Sequence, residues 1–274
     1  MKKKLTPSRV VFYIVLIVGA FIMVMPFYWG IKTSMETLPQ SLQVPPKLGI
    51  TSFNFDNYKA VWENLPFATF FWNTIVMVVI RVVVSTVLSA MAGYAIARIK
   101  FPGVNLIFII ILIPMMIPGQ IYTLPQYLMM SKLGILNTIT ALVIPGLAST
   151  FGTFLMRQFF MSVPVELEEA GRLDGASPWK IFTKIMLPLA KAPMVSLAIF
   201  TGLGSWKDLM WPLVVNSDAD KLPLSAGLAL LQGQYTTNFP QLMAGSLLST
   251  IPMIILYIIF QKQFIEGIAT SGGK

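Results

Sequence analysis

The run from Val10 to Ile31 carries no charged residue, and the pattern recurs: Trp72 to Ala97 is interrupted only by Arg81, and nothing between Lys100 and Lys132 is charged. A helix needs about 20 apolar residues to cross the hydrocarbon of a bilayer. Inside that hydrocarbon the backbone N–H and C=O groups find no water, and a helix satisfies them within its own segment. The chain is therefore read as an all-α membrane protein. Its composition agrees, with hydrophobic residues at 55% and charged residues at 11% of 274.

Six transmembrane helices are expected, at about 10–31, 72–97, 104–117, 136–159, 192–215 and 242–260, in a single domain covering residues 1–274. The basic start and first apolar run imitate a secretory signal peptide. The run is too long for one and lacks a small-residue cleavage site, so it reads as a retained first span. Residues 33–70, with Pro39, Pro45, Pro46 and Pro66, form an extramembrane segment holding a short amphipathic helix around Asp56 to Glu63, its aromatics at the interface. Residues 120–130 read as a return segment or an interfacial helix, and Pro145-Gly146 marks a kink in the fourth span.

With six spans both termini share one side. Lys2, Lys3, Lys4, Arg9, Arg98, Lys100, Arg157, Arg172, Lys180, Lys184, Lys191, Lys262 and Lys274 fall on that side, against Lys32, Lys47, Lys59, Lys132, Lys207 and Lys221 on or toward the other. The positive-inside bias makes both termini and the 160–191 loop cytoplasmic. The net charge of +9 is spread over short loops rather than gathered with aromatics on a polar face, so nucleic acid is not an expected partner and membrane lipid is.

Cysteine and histidine are absent, which removes thiol chemistry, disulfides, the usual zinc sites and any Ser-His-Asp or Cys-His arrangement. No catalytic residue and no metal ligand is expected. No G-x-x-x-x-G-K-[ST] loop occurs either, because Gly272-Gly273-Lys274 lacks both the upstream glycine and a following Ser or Thr.

The polar exception is the stretch from Pro164 to Pro188, PVELEEAGRLDGASPWKIFTKIMLP. Glu166, Glu168 and Glu169 fall in the first turn of a helix, where carboxylates complement the dipole. Asp174-Gly175 breaks that helix. Ser177 caps a second one with Pro178 in its first turn, running through Trp179, Phe182 and Ile185 to Leu187-Pro188. Glu169-Ala170-Gly171, then Gly175 after three residues, then Ile185, Leu187 and Pro188 after nine more, resembles the cytoplasmic EAA signature of ABC importer permeases. One departure is Gly171 where a second Ala is usual, expected to loosen the helix by about 1 kcal/mol. Asp174-Gly175-Ala176 and the C-terminal pattern are similar to the carbohydrate branch, the permeases of maltose-type importers, over nearly the whole chain.

That resemblance implies a type I ABC importer permease fold with a cytoplasmic coupling helix, in a bacterial or archaeal cytoplasmic membrane. The protein would form half of the pathway for oligosaccharides or related carbohydrates and would not itself be an enzyme. Its partners would be a second, non-identical permease subunit, an ATPase dimer and an extracytoplasmic solute-binding protein. No cofactor would be bound by this chain, with ATP and magnesium on the partner ATPase. Glu169, Ala170, Gly171, Asp174, Gly175, Ala176, Ile185, Leu187 and Pro188 would couple to that ATPase, and the tail at Gly267, Ser271, Gly272 and Gly273 would touch it. Gln232, Gln234 and Tyr235 would belong to the loop that meets the binding protein.

The rival reading is a self-contained secondary transporter or channel, which couples through buried ionisable groups. Arg81, Lys207 and Asp208 are the intramembrane candidates, read as lying toward the outer ends of their spans. Asp208 neutralises Arg81 or Lys207. If both cations face the pathway, one positive charge remains and favours an anionic sugar; alternatively Arg81 snorkels to the outer interface.

Overall fold

A computed structural model of the chain describes residues 7–50, 53–233 and 237–271, with side chains as far as residue 262. The described residues are helical apart from loops and an isolated antiparallel bridge between Gln232 and Thr237. Helix α1 (Pro7–Ser34) is apolar on every side between Val10 and Ile31, and its apolar window buries nothing against the protein. Such a helix suits an apolar surrounding rather than water. After an irregular stretch, α2 (Asp56–Asn64) is the expected amphipathic helix, with Trp62 exposed and Val61 wholly buried. Helix α3 (Phe67–Arg98) is longer than the expected second span, at 32 residues.

Proline shapes the middle of the chain. Helix α4 (Val104–Leu112) tightens into a 3₁₀ turn at Pro114, a second such turn comes after Pro118, and α5 (Thr123–Lys132) leaves at 101° to the first arm. The expected fourth span is α6 (Ile139–Val143), drawn through a 3₁₀ turn at Pro145-Gly146, and α7 (Thr150–Ser162), bent by 40°. The Thr138 and Ser149 hydroxyls accept the orphan N–H groups of Ala141 and Gly152 at the starts of these two helices. The hairpin helices are α8 (Glu166–Leu173) and α9 (Pro178–Leu189), and α10 (Lys191–Trp206) turns away from α9 by 74°.

The expected fifth span, 192–215, is not one helix: it breaks after Trp206 and restarts as α11 (Met210–Val215). Pro212 explains the break, since its ring clashes with the carbonyl four residues back, that of Asp208. The freed carbonyl accepts the Ser225 hydroxyl instead. The last helix, α12 (Phe239–Ser271), runs well past the expected 260. Among the described residues three helices, α1, α3 and α12, are long and apolar enough to cross a membrane alone, and counting each bent pair as one span brings the number to as many as six.

The chain divides into two compact units, residues 1–67 with 228–251, and residues 68–227 with 252–274. In the first, Lys32 and Glu36 form a buried ion pair at 2.8 Å, with the Lys32 ammonium 4.5 Å from the Trp29 ring centre. Asn57 donates to the carbonyls of Ser34 and Glu36, and the Ser34 and Tyr58 hydroxyls share a hydrogen bond, so α2 is tied to the end of α1.

In the second unit α3 is the axis. Lipid tails are as apolar as leucine, so helices in a bilayer associate through close packing and polar contacts rather than the hydrophobic effect. Gly93 of α3 therefore lies directly on α7: a Cβ there would fall 2.7 Å from the Arg157 backbone nitrogen. Gly152 of α7 answers it, closely facing Ser89 of α3 and Leu197 of α10. One core joins Ala90, Tyr94, Met156, Phe160, Ile181, Phe182 and Leu197. A second, around Met77, Leu142, Trp211 and Val215, is pinned by the Trp211 indole donating to the Ala141 carbonyl at 3.0 Å.

Candidate functional site

The hairpin forms as its residues require. At the end of α8 the N–H of Ala176 reaches the Gly171 carbonyl at 2.9 Å and that of Gly175 reaches the Arg172 carbonyl at 3.0 Å. This is the Schellman arrangement, which places residue 175 in the left-handed region, and Gly175 has φ +74°. A Cβ at Gly175 would meet nothing within 4 Å, so backbone conformation alone demands glycine there. The Ser177 hydroxyl then accepts the Lys180 N–H, starting α9. Pro188 cannot donate to the Lys184 carbonyl, and the turn before it, Phe182–Met186, widens to a π-helix.

The faces of α8 differ sharply. Glu169, Ala170, Leu173 and Asp174 are exposed, with Leu173 at 90% of its full surface. Glu168 and Gly171 are buried. Gly171 is also a packing contact, where a Cβ would come within 2.8 Å of the Ile185 terminal methyl on α9. That methyl is the mobile end of a side chain, so alanine at 171 needs a rotation of Ile185 and a slight shift of Ile181, whose side chain would lie 3.3 Å away. Ala176, Ile185 and Leu187 pack against the core, while Pro188 is exposed.

By sequence Glu168 is only one of three first-turn carboxylates. In the fold it is 2% exposed, and its carboxylate lies 3.1 Å from Arg98 Nε, 3.7 Å from Arg172 and 3.4 Å from the Tyr94 hydroxyl, which donates to it. Arg98 also donates to the Val163 carbonyl. The last turn of α3 is thus bolted to α8 by a buried ion pair. The signal was present in the spacing: Glu168 stands three residues before Gly171, on the same helix face.

Of the two partners expected for Asp208, Arg81 and Lys207, the fold supplies Arg81. Arg81 sits near the middle of α3, not toward its outer end, and is 6% exposed, so it does not snorkel. Its guanidinium pairs with Asp208 at 2.9 Å and donates twice to the Leu142 carbonyl. Gly146 makes room, since a Cβ there would fall 2.6 Å from Arg81 Nε. Lys207 is exposed and takes no part in that pair. Gln232 is exposed and its bridge to Thr237 closes a loop, whose residues Gln234 and Tyr235 lie outside the described residues. Gly267 and Ser271 continue the backbone of α12, and Gly272 and Gly273 lie outside the described residues.

Unbroken and bent apolar helices of span length, together with a braced helical hairpin, define a helical membrane protein. The chain belongs to the family of binding-protein-dependent transport system inner membrane components, whose pattern matches residues 85–267. It is 41% identical over 206 residues to the arabinooligosaccharides transport system permease protein AraQ of Halalkalibacterium halodurans, covering 75% of this chain and 74% of that one. It is 32% identical over 267 residues to the sn-glycerol-3-phosphate transport system permease protein UgpE of Pectobacterium atrosepticum, covering 94% and 95%. Among solved structures, a chain of a bacterial ABC transporter involved in the import of the acidic polysaccharide alginate superposes with a TM-score of 0.81 at 26% identity, covering 96% of this chain and 100% of that one. The fold is that of an ABC importer permease. The rival reading of a self-contained carrier gives way to a transport permease of the binding-protein-dependent class.

Proposed function

We propose that this chain is one half of the translocation pathway of an ATP-driven importer of oligosaccharides or related carbohydrates. The observation that carries the reading is the two-faced α8, whose inner face is held to α3 through Glu168 and Arg98 while Glu169, Ala170 and Leu173 stand exposed. A separate ATPase dimer receives that outer face, together with Asp174, Gly175 and the start of α9. ATP and magnesium are held there, because this chain has no phosphate-binding loop. Closure of the ATPase pulls on the hairpin and rocks α3 and α10 as rigid rods, exposing the pathway to alternate sides.

The termini and the hairpin face the cytoplasm, in accord with the bias of basic residues. A second, non-identical permease completes the pathway. The loop closed by Gln232 faces an extracytoplasmic binding protein, and the C-terminal tail from Gly267 to Gly273 reaches the ATPase. The carbohydrate class is supported by the names of the permeases this chain is similar to. The reading is tested by co-purification in detergent. Charge reversal at Glu169 or a bulky residue at Gly175 should leave insertion intact and release the ATPase, with uptake lost. Unchanged association and transport in both variants would sink the assignment, as would uptake that needs a proton gradient and no co-expressed ATPase.

A further inference from the structure

A cavity of about 380 Å³ opens between α3, α7 and α10, beside the Arg81–Asp208 pair and near the midpoint of α3. It is an open groove rather than an enclosed pocket, and would hold one face of a ligand. Its walls bring together hydroxyls and aromatic rings. Ser85, Ser149, Thr201 and Ser205 supply the hydroxyls, and Phe151 and Phe200 stand edge to face at 6.2 Å, each 38% exposed.

Two observations separate this cavity from an ordinary crevice. Ser85 is wholly buried, and its hydroxyl has no hydrogen-bond partner in the protein. A buried hydroxyl is ordinarily paired, and serine in a helix has its own preceding carbonyl available. An unpaired one in a cavity wall is a group awaiting a ligand or water. Ser149 adds to this, because its oxygen already accepts the Gly152 N–H and its own hydrogen is left to donate.

The second observation is the charge. Arg81 lines the cavity, but Asp208 and the Leu142 carbonyl occupy its guanidinium, and no lysine or second arginine is among the lining residues. An anion here would meet a cation already compensated in a medium where charge is poorly screened. Hydroxyls that both donate and accept, with two ring surfaces for apolar C–H groups, match one ring of an uncharged sugar instead. Resting on the carbohydrate reading above, we propose that this cavity is a sugar subsite of this chain, selective for neutral over anionic saccharides.

The test uses the complete importer with its binding protein in proteoliposomes and four probes: arabinotriose and maltotriose as neutral sugars, sn-glycerol 3-phosphate and an alginate trisaccharide as anions. Wild type should take up a neutral probe. The double variant Ser85→Ala, Thr201→Val keeps volume nearly constant and removes two hydroxyls, and should raise KM for that probe about tenfold. Phe200→Leu should raise it independently. Size-exclusion elution of each purified complex reports whether it still assembles, and Ser85→Ala alone removes an unpaired group, so a purely structural role predicts no loss. If no saccharide probe is carried by wild type, the carbohydrate reading fails and the subsite with it. If the alginate trisaccharide is the one saccharide carried, or the variants assemble and keep the wild-type KM, the subsite alone is overturned.

Discussion

Glu168 and Glu169 are adjacent carboxylates with opposite situations. Glu168 is buried against Arg98, and removing one member of a buried pair leaves the other charge uncompensated, at a cost of about 3–5 kcal/mol. Glu169 is exposed, where a lone charge contributes little to folding. Glu168→Gln should therefore lower the melting temperature of the solubilised protein markedly, whereas Glu169→Gln should leave it within a degree or so while weakening ATPase association. Equal melting temperatures for the two variants, read by thermal unfolding in detergent, would show that the Arg98 brace contributes nothing. A similar contrast separates two glycines in the same hairpin: Gly175 is required for its positive φ, whereas Gly171 lies against Ile185 of α9, a flexible neighbour that can yield to alanine.

Among the helices, α3 meets its neighbours at small residues and α7 returns the contact. The closeness of that contact can be probed with a single methyl group. Gly93→Ala would press a Cβ onto the Arg157 and Met156 backbone, which cannot move without shifting α7, and overpacking of this kind costs about 1–3 kcal/mol. Gly202→Ala on α10 would meet Val82 at 3.5 Å, an ordinary contact, and should gain about 0.5–1 kcal/mol from helix propensity. Thermal stability in detergent should move down for the first and up for the second. A neutral Gly93→Ala would mean that α3 and α7 do not touch as described. The broken fifth span belongs at this level too, because one proline frees the Asp208 carbonyl for Ser225 and the same residue's carboxylate closes on Arg81.

For the molecule as a whole, orientation decides which face receives energy and which receives solute. The chain has no native cysteine, so single introduced thiols report topology without interference. Ser217, beside α11, and Ser177, at the hairpin turn, are both exposed. Ser217→Cys should react with an impermeant thiol reagent added to intact cells, and Ser177→Cys should react only after the membrane is opened. The reverse result would place the hairpin outside, away from ATP, and would undo the proposed coupling along with the orientation.

Spans, hairpin and caps were legible in the sequence because each depends on neighbours a few residues apart. Hydropathy over a helix length, a glycine where φ must be positive, a serine before a proline and the spacing of Glu169 to Pro188 are all local properties. What the sequence could not disclose depends on residues brought together from far along the chain. Arg81 meets Asp208 across 127 positions and Tyr94 meets Glu168 across 74. From the sequence alone Lys207 was as good a partner for Asp208 as Arg81, and Glu168 was one carboxylate of three. The choice was made by the close approach of α3 and α7 at Gly93 and Gly152, and by Gly146, which leaves room for the guanidinium. In a medium without water a charge has to find its counter-ion within the protein, so the packing of the helices selects which pairs form and which cavity between them remains open.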